Sequence, residues 1–190
     1  MNMTDHTTTG TNRTQEAGGV KHTLNKAVDA AGGMVGQAGA ATTDKAPDFV
    51  ESAAISDMYE IQSSRIALDR TQNPAVREAA QKMIDDHTDS SAKLETAVQQ
   101  SPKVETSNVP NELDKRREKM IEHLREAPAD AFDRTYLKQQ VMAHEEATKL
   151  MHTYRDDGDC QVLRSFATEV SPVIESHLDH MKRLETSMPR

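Results

Sequence analysis

Three histidines and one glutamate, each on a stripe that should be apolar, carry the chemical interest of this chain. If residues 74 to 100 are helical, His87 shares one face with Val76, Ala80, Met83, Ile84, Leu94 and Val98. His144 falls on the face of Leu137, Val141, Ala147 and Met151, with Gln140 and Thr148 beside it. His177 lies among Leu163, Phe166, Val170, Val173, Ile174, Met181 and Leu184. Glu60 shares a face with Phe49, Ala53, Ser56, Ser63 and Ala67, where small side chains leave room for a carboxylate and whatever it binds. Buried polar groups need partners, and two arrangements would supply them. One transition metal ion (Fe, Zn, Mn or Cu) suits such a set of three imidazoles and one carboxylate. A metal-free hydrogen-bond network is the alternative. A dinuclear centre of the bundle type needs Glu-x-x-His, whereas Ile84, Val141 and Ile174 stand three residues before the histidines.

Holding these groups together calls for helices. Good helix formers dominate the sequence and β-branched runs are missing. A first helix is expected from about 47 to 71; Asn73 and Pro74 then offer an N-cap and a first-turn proline to a second, which runs to about 100. The stretch "SPKVETSNVPN" reads as a loop, and a shorter helix follows with Leu113, Met120, Ile121 and Leu124 on one side. Asp130 and Asp133 flank the start of the next long helix like a capping pair, Gly158 ends it, and a last helix runs from about 159 to 187 with a kink expected at Pro172. Glu60 lies 13 residues before Asn73 and His87 14 after it, so the two are level across an antiparallel pair. His144 lies 14 before Gly158 and His177 19 after it, an offset of about 7 to 8 Å of helical rise. The expected fold class is all-α: an antiparallel four-helix bundle with a short extra helix in its middle connection.

The charge belongs to the bundle. Residues 1 to 45 carry four basic and four acidic groups, so the formal net charge of -8 falls entirely on the remainder. An acidic, aromatic-poor body argues against nucleic acid and anionic lipid as partners. The single Cys160 cannot make an internal disulfide and reads as a helix-start residue. No basic segment leads into an apolar core near the N-terminus, and the longest uncharged run, Ala30 to Thr43, has 14 residues where a span needs about 20. The expectation is no transmembrane span and a cytoplasmic location. Residues 1 to 19, rich in Thr, Gly and Asn, are expected to be disordered. In residues 20 to 42, Leu24, Val28 and Ala31 share a helical face, but Gly32, Gly33, Gly36 and Gly39 oppose a stable helix. A partly helical linker is expected there, whose small residues suit a protein partner or a membrane surface. The chain is thus divided into a tail, 1 to 45, and a bundle, 46 to 188.

Tyr59 and Tyr136 read as core tyrosines with hydroxyls at the edge. His123 and His152 look peripheral, and Asp85 and Asp86 solvated, with Asp86 the one placed to support a ligand.

The segments "AAISDMYEIQSSRIALDRTQNPAVREAAQKMIDDHTDSSAKLE", "FDRTYLKQQVMAHEEATKLM" and "LRSFATEVSPVIESHLDHMKRL" together resemble a bacterial family known as domain of unknown function 4142. The resemblance covers about residues 48 to 186. It implies a ferritin-like bundle and makes Glu60, His87, His144 and His177 the positions that match the family's acidic and histidine motifs. It implies no established activity. It also implies a cell-envelope location for many members, against the cytoplasmic expectation above. The functional expectation is a metal-binding bundle with a stress-protective or redox role; the alternative is a structural or protein-interaction bundle with a metal-free polar network.

Overall fold

The computed structural model describes the backbone of residues 10–188 and the side chains of residues 19–188. Among these residues there are six α-helices, one short 3-10 turn at Thr106–Asn108, and no strand. The helices are α1 (Gly10–Ala40), α2 (Ala46–Arg70), α3 (Pro74–Gln100), α4 (Lys115–Glu126), α5 (Phe132–Asp157) and α6 (Gln161–Ser187). None is long and apolar enough to cross a membrane.

Local chemistry sets the boundaries. Asn73 caps α3, its side chain accepting from the Ala75 backbone N–H at 2.9 Å, and Pro74 follows where no donor is needed. Cys160 is the N-cap residue of α6 and stays free. Gly158 ends α5 by close approach: a Cβ there would lie 2.4 Å from the Tyr154 carbonyl oxygen. Asp130 and Asp133 make no capping pair, because Ala131 takes the N-cap position of α5 with no side-chain bond. Pro172 lies inside a continuous α6.

Short turns make α2/α3 and α5/α6 into two hairpins, and the hairpins meet along α3 against α6 and α2 against α5. The apolar core they enclose is split. One cluster, around Phe49, Leu94, Leu150, Tyr154, Leu163 and Phe166, fills the end near the α5/α6 turn. It includes a stacked Phe49–Tyr154 ring pair with centroids 3.9 Å apart. The other cluster, around Val76, Met83, Leu124, Phe132, Leu137 and Met181, fills the opposite end. On each of the four helices a buried polar residue, Glu60, His87, His144 or His177, lies between members of the two clusters.

The N-terminal segment departs from expectation. Residues 1 to 9 lie outside the described range, but α1 reaches back to Gly10, into the stretch expected to be disordered, and it packs on α4 and α5. The face formed by Leu24, Val28 and Ala31 points outward; Val20, Met34 and Val35 are exposed with it. The inward face carries Asp29, Gly33 and Ala40. Here glycine serves approach: a Cβ on Gly36 would fall 2.2 Å from Glu146 Oε2. Contacts to α4 and α5, Asp29 to His123 and to Gln139 among them, hold α1 there. The expected linker is helical, and it is docked rather than free.

Candidate metal centre

His87, on α3, and His144 and His177, on the α5/α6 hairpin, meet in the polar layer between the two apolar clusters. Their ring centroids are 5.4 to 5.6 Å apart. One ring nitrogen from each lies within 4.8 Å of those of the other two. His87 is 3% exposed, and Glu60, His144 and His177 are 1% exposed each. The offset between His144 and His177 closes for a geometric reason. Counted from the helix ends, His144 is 13 residues before Asp157 and His177 is 16 after Gln161. Side chains lean toward the N-terminus of their own helix, so across an antiparallel pair these two lean in opposite directions, His144 away from the turn and His177 toward it, reducing the remaining offset.

Each imidazole is held by one nitrogen. His87 Nδ1 lies 2.7 Å from Asp57 Oδ1, and His177 Nε2 lies 2.7 Å from Asp86 Oδ2. His144 Nδ1 lies 2.9 Å from the Gln140 backbone oxygen. A carbonyl or an ionised carboxylate only accepts, so in the neutral ring the tied nitrogen carries the proton and the other carries a lone pair. Those other nitrogens, His87 Nε2, His144 Nε2 and His177 Nδ1, are buried and without a hydrogen-bond partner.

Glu60 adds two more unpartnered buried atoms, both carboxylate oxygens. Its Oε1 lies 3.8 Å from His144 Nδ1, too long for a hydrogen bond. Glu60 therefore stands beside the three histidines rather than inside the tight group. Gln140, beside it, pulls the Glu60 pKa down and donates one Nε2–H to Ser63 Oγ at 3.1 Å.

Burial dominates the electrostatics. It drives the His144 pKa down to about 3, helped by the charge of His87, and that of His177 down to about 4, helped by His144 and opposed by Asp86. Burial pulls His87 down as well, but Asp57, Glu60 and Asp86 outweigh it and its pKa is raised. Burial pushes the Glu60 carboxyl up against the pull of His87 and Arg117. The result is two neutral imidazoles, a third that favours protonation, and a carboxylate whose charge is costly without a nearby cation.

A family model described as "Domain of unknown function (DUF4142)" matches residues 33–184. The chain belongs to that family. The match begins inside α1 and takes in all four residues of the polar layer. No curated protein and no solved structure matches the chain.

Sequence reasoning found the three histidines and missed Asp57. Asp57 is one turn before Glu60 on α2 and is buried against His87; that i, i+3 spacing is the signal that could have found it. Asp86, on α3, reaches across to α6, where its Oδ2 lies 2.7 Å from His177 Nε2. His123 is not peripheral. It is 2% exposed and its Nδ1 lies 2.6 Å from Asp29 Oδ1 on α1.

Proposed function

We propose that this chain is a ferritin-like antiparallel four-helix bundle that holds one transition metal ion on His87, His144 and His177, with Glu60 as the adjacent carboxylate. One observation carries the reading: each of the three rings is anchored through one nitrogen to an acceptor, while its other nitrogen is buried and unpartnered. Metal-ligating histidines take this form, the anchored N–H fixing tautomer and ring orientation. Three buried lone pairs facing one small region gain nothing from each other, and a cation satisfies all of them. The donor set suits Zn, Fe, Mn or Cu, and three histidines leave a coordination position for Glu60 or a water molecule.

A second reading has its own observation. Asp57 raises the His87 pKa, so a proton on His87 could stand where the cation would and make the layer a metal-free network. Titration of untagged, chelator-stripped protein with Co(II) and Zn(II) separates the two. The metal reading expects about one ion per chain, bound more weakly as pH falls and the imidazoles protonate. Absence of binding near neutral pH, with the fold intact by circular dichroism, would overturn it.

A further inference from the structure

A buried centre needs a route to solvent, and one cleft touches it. Between α3 and α6 lies a cavity of about 80 Å³ whose inner wall includes His87 and His177. Its outer wall carries Asp86, Asp89, Glu169 and Lys93. Asp89, Lys93 and Glu169 also line a wider groove of about 380 Å³ along the same two helices, so the cavity at the histidines and the open groove share a wall. A water molecule takes about 30 Å³ of liquid volume; the inner cavity admits an ion with few of its waters. The cleft between α1 and α5, of about 250 Å³, is lined by Lys26 and Lys138 and reaches none of the three histidines.

The charges select what enters. Three carboxylates and one ammonium line it, Lys82 Nζ pairs with Asp86 Oδ2 at 2.7 Å beside it, and the Lys93 ammonium spans the opening: Lys93 Nζ on α3 lies 2.8 Å from Glu169 Oε1 on α6. A cleft with an excess of one sign of charge concentrates ions of the opposite sign, and an ion pair as exposed as this one is cheap to open. Two buried ring nitrogens without partners, His87 Nε2 and His177 Nδ1, belong to the residues at the inner end.

We propose that the α3/α6 cleft is the cation entrance of the metal centre and that the Lys93–Glu169 pair is its gate. The proposal rests on the metal reading above and adds the route. It differs from a structural role for these residues in being kinetic: the route sets how fast metal enters and leaves, and the ligands set how tightly it stays.

The test uses the full chain and Co(II), following the visible absorption of the Co(II)–imidazole complex after mixing and its loss on adding EDTA. Val173, at 43% exposed, lines the same cleft and touches no proposed ligand bond. Val173→Trp should slow uptake and removal alike by about tenfold or more while leaving equilibrium affinity nearly unchanged. Lys93→Gln, on the surface and safe for folding, should speed uptake several-fold at low salt. Glu169→Gln should slow uptake, and both charge effects should fade as added salt screens the cleft. If wild type takes up no Co(II), the metal reading itself fails. If wild type binds Co(II) but Val173→Trp and Lys93→Gln both load and unload at the wild-type rate, the entrance is elsewhere and this proposal alone is overturned.

Discussion

This molecule buries histidine and carboxylate together in two places, and the two places are finished differently. In the outer one, between α1, α4 and α5, the network closes. Asp29 gives one oxygen to His123 Nδ1 at 2.6 Å and the other to Gln139 Nε2 at 2.7 Å. Gln139 also donates to the Met120 carbonyl, and its own oxygen accepts from Tyr59 Oη at 3.1 Å. In the central one, the rings of His87, His144 and His177 and the carboxylate of Glu60 all keep buried atoms without partners. Burial of an imidazole is thus not the sign of a functional site, since His123 is as buried as His87. The sign is what remains unpaired once the local partners are counted. The closed network holds α1 in place; the open one is prepared for something further.

The sharpest way to break the comparison is to remove one histidine from each cluster. His177→Ala should weaken Co(II) or Zn(II) binding by about a hundredfold. His123→Ala should leave metal affinity unchanged and instead cost roughly 3 kcal/mol of stability, because it strands a buried Asp29 carboxylate. Metal titration and denaturant melts on both variants read the two effects separately. If His123→Ala weakens metal binding as much as His177→Ala, the two clusters are one and the contrast is false.

A smaller effect tests Glu60. Glu60→Gln keeps size and shape but removes the anionic oxygen, and should weaken metal binding by about tenfold or more. Without metal its melting midpoint should hold or rise, since a buried unpaired carboxylate is costly. A clear fall in the metal-free midpoint would mean that Glu60 is already satisfied by its neighbours.

The mildest test is acid. In the metal-free protein His144 and His177 titrate near 3 and 4 instead of the ordinary 6.5. Below about pH 6.5 the unfolded chain therefore binds protons that the folded chain refuses, and stability is lost from there down to the folded values. His87, raised, works the other way: its contribution is full below 6.5 and fades as pH rises through its folded value. The raised Glu60 carboxyl works with His87, but the depressions at His144 and His177 are the large ones, so the thermal midpoint should fall as pH drops from 7 to 4. A midpoint that climbs with acid would mean that His144 and His177 are not held neutral.

Much of this was legible in the sequence for definite reasons. Asn73, Pro74 and Gly158 act through backbone geometry that depends on few neighbours, so the helix ends near them fall where expected. The three histidines were legible because each interrupts an apolar stripe. Asp86 was harder. Consecutive residues on a helix point about 100° apart, so on α3, which packs against both α2 and α6, His87 bonds to Asp57 of one neighbour and Asp86 to His177 of the other. A single apolar stripe on α3 does not capture its second packed face. For α1 the periodicity was misleading, because its apolar residues Val20, Leu24 and Val28 are exposed while Asp29, Gly33 and Gly36 face inward. The partner that makes sense of Asp29, His123, lies 94 residues away, beyond any local pattern.

The four residues of the polar layer are recruited two by two. Glu60 and His87 belong to the α2/α3 hairpin, and His144 and His177 to the α5/α6 hairpin, with the 3-10 turn and α4 between them. Neither hairpin, however well formed, owns more than half of the polar layer. A compact chain whose hairpins docked one turn out of step would show the same helicity and bury much the same surface, yet its half-sites would miss each other by about 5 Å. The polar layer is therefore a checkpoint on assembly: it comes into being only when two separately built halves have found the right register.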